Sequence, residues 1–384
     1  MKTVITYIPS ISSLELDKMT FLLPYYLNKE FNTKSYVYTN LCNDHIGKFY
    51  RNVEVVCDNN LEEYVYKNKV SCDLFIVFGH GKYKNKLAKL LKTINPKCKY
   101  VIFTDASKPK FRFLSFLKSL ILINLRMKRR KELIEFGNET YNLADKFVAF
   151  TDYEFHKLEE NGFLGRDISE KLIIMINGYD SETFIKRISN LDFDKKENLI
   201  LYTGRIGVYP KNHNMFFKIA KDNYILNGWK IVMVGPYSDG FIEKFKKNCK
   251  KYDAIRENLI LTGPAKSKDE LYGFYEKSKA FLLTSKSETL CFSLIEAALF
   301  RNYLITTEVG IAAYVSKNYE YCSTFSFKNI NSLRKIIYDL THGCIDINEK
   351  TKSCQDFTIQ NLDYKSLIRN SFFKEYLEEK ENDI

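Results

Sequence analysis

Glu288 and Glu296 have seven residues between them in the stretch that begins at Ser285 and runs Ser-Lys-Ser-Glu-Thr-Leu-Cys-Phe-Ser-Leu-Ile-Glu-Ala-Ala. An ionised carboxylate only accepts hydrogen bonds, so a pair of them suits a ligand rich in hydroxyls. Ahead of the pair, Lys279 to Leu283 has the apolar run of a strand. Behind it, Phe292 to Phe300 has helical spacing, and Tyr303 to Thr306 is a second strand-like run. Strand, loop, helix and strand in this order imply a parallel sheet, whose ligands sit beyond the strands' carboxyl ends and against helix N-termini. Glu288 then falls in the loop and Glu296 near the first turn of the helix, where both can face one crevice. Between them the amides of Leu290, Cys291, Phe292 and Ser293 are the unpaired donors of a helix start, a place for a phosphate. Taken alone, the plainer reading is a solvated loop glutamate and a first-turn glutamate favoured by the helix dipole.

Other strand ends carry matching chemistry. Asn198 to Thr203 reads as a strand, and Gly204-Arg205 opens a loop that brings Lys211 to the start of a helix. Arginine as a fork and lysine as a point charge can hold a diphosphate there, or they are a solvated surface pair. Lys230 to Val234 ends in Gly235-Pro236, and Leu259 to Leu261 ends in Thr262-Gly263-Pro264 before a helix from Lys268 to Ser278. Glycines closing successive strands allow close backbone approach. A nucleotide base fits over Thr262 to Ala265.

The Glu-x7-Glu spacing followed by Ala-Ala resembles the motif of the GT-B fold retaining glycosyltransferases, family 4 in particular. Three further segments resemble the same family in the same order: Asn177-Gly178 with Asp180 and Phe184, the Gly204-Arg205 to Lys211 loop, and Gly310. The resemblance implies an α/β chain of GT-B type, with two Rossmann-like doubly wound domains facing across a cleft. The acceptor-binding domain would span 1–186, a linker 187–198, and the nucleotide-sugar domain 199–363, with a tail of helical pattern over about 364–384 packing back on the first. It also implies that Glu288 orients the donor sugar and Glu296 grips the ribose. Arg205, Lys211 and the helix start near Phe292 would neutralise the departing diphosphate. Retention of configuration and independence from a metal are implied in the same way. The chain departs from the family at Thr289 and Cys291, at Ile311 and Tyr314, and at Pro9-Ser-Ile-Ser-Ser, where members carry a Gly-Gly loop.

The rest of the chain must position these groups. Its first half alternates apolar runs at Val4 to Ile8, Ser35 to Tyr38, Leu74 to Phe78, Tyr100 to Phe103, Phe147 to Phe150 and Leu172 to Ile176 with helical segments. That rhythm is doubly wound. Gly79-His80-Gly81 follows the Leu74 run, and His80 is either a catalyst or a hydrogen-bonded loop residue. Asp105 follows Phe103-Thr104, where it faces the sugar as many family members' His or Asp does, or caps a helix.

At 384 residues, 45% hydrophobic and 28% charged, the chain is globular and long enough for two cores. Nine scattered cysteines and five unclustered histidines argue for free thiols in a reducing compartment and against a structural metal. The net charge of +12 calls for an acidic partner. Lys108 to Lys131 concentrates nine cations and no acid among Phe and Leu, the composition of a helix lying in a membrane interface, or of a core helix with a basic face. No apolar run reaches the length of a membrane span, and Met1 begins a strand-like run without a signal-peptide pattern. The expectation is therefore a cytoplasmic enzyme, peripheral at the inner face of the cell membrane, needing no cofactor. It would move a hexose or N-acetylhexosamine from a nucleotide diphosphate sugar, UDP-linked, to a glycan or lipid-linked acceptor in cell-surface polysaccharide or glycolipid synthesis. A nucleotide-sugar epimerase of the same fold and a basic nucleic-acid-binding module are the alternatives, although no nucleic-acid module is recognisable.

Overall fold

The computed structural model describes residues 1–11, 19–42, 49–104 and 119–378, with 119–130 as helix backbone alone. The chain forms two compact units, Met1–Asn177 with Tyr364–Ile384, and Gly178–Asp363.

Among the described residues the first unit holds ten strands: Thr3–Tyr7 (β1), Ser10–Ile11 (β2), Lys34–Thr39 (β3), Leu41–Cys42 (β4), Phe49–Tyr50 (β5), Val53–Cys57 (β6), Leu74–Phe78 (β7), Lys99–Phe103 (β8), Lys146–Ala149 (β9) and Leu172–Ile174 (β10). Eight of them form one sheet in the order β10-β9-β8-β7-β1-β3-β6-β5, parallel except for β5, while β2 and β4 pair separately. Central strands covered on both faces read as unbroken apolar runs, which is why Leu74 to Val77 is buried throughout. β6 escapes that pattern because Glu54 interrupts it, and its residues from Val53 to Val56 alternate between buried and partly buried. The chain goes from β1 outward to β3 and β6, then returns to the other side at β7. The sheet's switch point thus lies between β1 and β7, where the strand ends of a doubly wound sheet open a crevice.

The tail is not one helix but two, Tyr364–Arg369 and Phe373–Leu377, parted by a turn at Ser371-Phe372. Tyr364, Ile368, Phe373 and Leu377 share a core with Leu23, Tyr26, Phe103 and Met175. Glu30 and Arg369 tie the same surfaces with an ion pair of 2.6 Å.

The second unit has a six-stranded, wholly parallel sheet of Glu197–Thr203 (β11), Lys230–Val234 (β12), Leu259–Gly263 (β13), Ser278–Leu283 (β14), Tyr303–Thr306 (β15) and Ser323–Thr324 (β16). Their order is β13-β12-β11-β14-β15-β16, so the switch point falls between β11 and β14. The helix after β14 is Phe292–Leu299. Leu294, Ile295, Ala297 and Ala298 lie on its buried side, and the spacing that marked it as amphipathic is the spacing that seats it on the sheet. Among the described residues no helix is long and apolar enough to cross a membrane. Asp105 and the 108–118 part of the basic segment lie outside the described residues. The remainder enters the helix Ser119–Leu143.

Candidate active site

Two loops flank the switch point of the second sheet. The first leaves β11 at Gly204, whose φ of 136° is one that an L-residue rarely adopts. A Cβ at Gly235, which closes β12, would overlap the Gly204 carbonyl, so both glycines are needed for the two strand ends to meet. The Gly207 amide donates to Nδ1 of His213 at 3.0 Å, and this ring packs edge-on against Tyr202. Burial, and then the Lys211 charge, push the His213 pKa down to about 3, so it serves the loop as a neutral acceptor. Arg205 is exposed, without an ion-pair partner among the described residues, and Lys211 ends the turn Tyr209–Lys211.

The second loop leaves β14. Glu288 Oε1 accepts from Lys211 Nζ at 2.6 Å and from the Ser285 hydroxyl. The pair is largely withdrawn from water, with 19% and 11% of the side chains exposed. The loops are also stitched backbone to backbone: the Lys286 amide donates to the Pro210 carbonyl at 2.7 Å, and the Thr284 hydroxyl to that of Lys211 at 2.7 Å. Cys291 begins the following helix in the left-handed region, φ 73°. Burial, and next the neighbouring Glu288, push its thiol up to about 12, so it stays protonated. Among the described residues the amides of Leu290, Cys291, Phe292 and Ser293 find no protein acceptor. Those four donors and the Lys211 ammonium are groups that could hold an anion there. The Leu290 carbonyl takes the Ile311 amide at 2.9 Å. A Cβ at Gly310 would stand 2.5 Å from that same carbonyl, so only glycine fits there.

Glu296 lies in the second turn of the helix rather than near its first, because the helix begins at Phe292. Tyr275 donates to its Oε2 at 2.8 Å, and the Tyr275 oxygen sits 2.6 Å from the Thr203 hydroxyl. Burial raises the Glu296 pKa, while Tyr275 and the Lys268 charge oppose the shift.

Thr262 and Gly263 close β13, and Gly263 lies at φ 79° with its carbonyl taking the Gly235 amide. Tyr237, 45% exposed, comes within 3.9 Å of where a Gly263 Cβ would be. His80 belongs to the first unit, at the carboxyl end of β7 beside that sheet's own switch point, with its ring edge-on to Phe163. Behind it, the buried Lys84 ammonium donates to the Phe78 and Gly79 carbonyls and shapes the turn. Arg205, Lys211, Glu288, Cys291, Phe292 and Glu296 thus converge on one switch point, and His80 does not share it. Tyr275, Thr203 and His213 were missed in the sequence, where each reads as core. Their signal was a polar tip on a residue spaced for burial, which a folded chain must satisfy.

Residues 184–353 match the family model for glycosyl transferases group 1. Across nearly the whole chain, a glycosyltransferase from Rickettsia africae superposes with a TM-score of 0.69 at 17% identity, over 98% of this chain and 99% of that one. The fold is GT-B. HepE of Anabaena in complex with UDP and glucose gives 0.66 at 12% identity over 96% and 98%, and a Thermosynechococcus elongatus sucrose-phosphate synthase 0.65 at 10% over 96% and 96%. No curated protein matches the sequence. At these identities the GT-B neighbours speak for the fold, and the match over 184–353 supports a transferase.

Proposed function

We propose that this GT-B protein is a retaining glycosyltransferase that moves a hexose or N-acetylhexosamine from a UDP-linked sugar to a glycan or lipid-linked acceptor, in cell-surface polysaccharide or glycolipid synthesis. One observation carries this reading: at the switch point of the second sheet, Lys211 and four free amides stand beside the Glu288 carboxylate. As the bond from the anomeric carbon to the diphosphate breaks, its electrons go to the phosphate oxygen. Arg205, Lys211 and the amides of Leu290 to Ser293 then face growing negative charge. A diphosphate at Lys211 draws the ammonium from Glu288 and turns the carboxylate to the sugar hydroxyls. Glu296 accepts from the ribose. The nucleotide sugar is a substrate, and no cofactor is required.

The first unit is the acceptor domain in this reading, with His80 at its switch point and Asp105 as the further candidate. The basic segment Lys108 to Lys131 brings it to the anionic inner face of the cell membrane. A panel of nucleotide sugars tests the reaction: nucleotide diphosphate release from one of them, lost in Arg205→Ala, is expected, and no release from any would overturn it. Flotation with anionic liposomes at low salt tests the membrane role, since reversing Arg126, Lys128, Arg129 and Arg130 to Glu should abolish it.

A further inference from the structure

We infer that Tyr275 is a positioning residue for donor recognition, its hydroxyl fixing one oxygen of Glu296 so that the other is presented to the ribose diol. The inference rests on the donor reading above and adds a residue that no motif marks.

Tyr275 is fully buried. Its ring stacks with Phe281 at 5.9 Å and Phe300 at 5.6 Å, so a phenylalanine would fill the same space among phenylalanines. A phenol there brings a polar group into the core, which is unfavourable unless the hydroxyl is fully bonded. It is bonded on both sides. Since the Tyr275 hydroxyl donates to Glu296, its oxygen must accept from Thr203, and both hydrogen bonds run toward the carboxylate. The chain of donors therefore leaves Glu296 as an acceptor. Without it, a partly buried glutamate in a helix's second turn would wander among rotamers.

The backbone that carries the ring is held as well. The Tyr275 carbonyl accepts from Lys196 Nζ at 2.8 Å and from Asn302 Nδ2 at 2.8 Å, and the same two side chains also hold the Ser278 carbonyl. Thr203 closes β11 immediately before Gly204-Arg205. The carboxylate that grips the ribose is thus referenced to the strand end that launches the diphosphate loop, which fixes the distance between the two halves of one nucleotide.

The test is calorimetric titration of the full chain with UDP, with GDP as a second probe, and with 2′,3′-dideoxy-UDP. Tyr275→Phe should weaken UDP by about tenfold, as loss of a hydrogen bond to a charged group does. It should leave dideoxy-UDP unchanged and move the acid limit of UDP binding to higher pH, because burial then acts on Glu296 with only Lys268 opposing it. Thr203→Val should do the same more weakly, and it covers the case of a Tyr275→Phe protein that does not fold. Equal losses for UDP and dideoxy-UDP would reduce Tyr275 to packing, and unchanged UDP affinity in both variants would overturn the inference. Glu296→Ala separates the two levels. If it too binds UDP like the wild type, or if the wild type binds neither UDP nor GDP, the donor reading fails first.

Discussion

Glu288 and Glu296 are the same residue type at one crevice, yet they are held in opposite ways. Glu288 is bound by a cation, Lys211, and a hydroxyl in a loop. Glu296 is bound by a neutral phenol on a helix, with Thr203 behind it. A carboxylate whose partner is itself a ligand-binding cation must exchange that partner when an anion arrives. One fixed by a neutral donor can wait unchanged. Under the proposed function, the difference suits the first to a step in which charge moves and the second to recognition that is equal in ground and transition states.

The largest effect should come from removing charge on the moving side. Arg205→Ala should lower kcat by about a hundredfold to a thousandfold, the scale of one lost oxyanion donor. Its melting temperature should match the wild type, since the side chain is exposed and unpaired by any described carboxylate. Next, Lys211→Met and Glu288→Gln should each impair turnover, but together cost less than their sum, with a coupling of about 1–3 kcal/mol. Strict additivity would break the comparison, because it would mean that the two do not act as a unit.

On the waiting side, Glu296→Gln should separate function from stability. The folded-state pKa of Glu296 lies above its unfolded value. The folded protein then binds the proton more tightly, and stability is lost as pH rises from the unfolded pKa through the folded one. Glutamine, which never ionises, should raise the melting temperature at neutral pH, and this advantage should vanish below pH 4.5, the carboxyl's ordinary value. Nucleotide binding should weaken in the same variant. Smallest of all, Cys291→Gly relieves a left-handed residue of roughly 1 kcal/mol, partly offset by about 0.5 kcal/mol of unfolded-chain entropy. Denaturant melts should show a slight gain, and a loss above about 1 kcal/mol would mean that the thiol packs usefully.

The sheet strands and the Glu-x7-Glu unit were legible because parallel strands buried on both faces print as apolar runs, and turns print as glycines. β6 was not, since Glu54 breaks its run, nor was the division of the tail, whose break at Ser371 carries no proline or glycine. At the site, Arg205, Lys211 and Glu288 were legible as charges after strand ends and Glu296 through its spacing from Glu288, each drawn out by the family resemblance and not by its charge alone. The direct contact between Lys211 and Glu288, 77 positions apart, follows from the adjacency of β11 and β14, which no local pattern encodes. Tyr275 was hidden for the same reason: a tyrosine spaced for the core shows its purpose only when its hydroxyl's neighbours are known.

The second unit is an insertion within the first, because the helices Tyr364–Arg369 and Phe373–Leu377 complete a core that starts at Val4. During synthesis, the sheet of the first unit therefore leaves the ribosome long before the residues that cover Tyr26 and Phe103. The unit made later can finish first, since all its strands lie between Glu197 and Thr324. A chain stalled before Tyr364 would carry a finished second unit and leave an apolar face of the first open to water. Quality control in the cell would meet that face before the fold was complete.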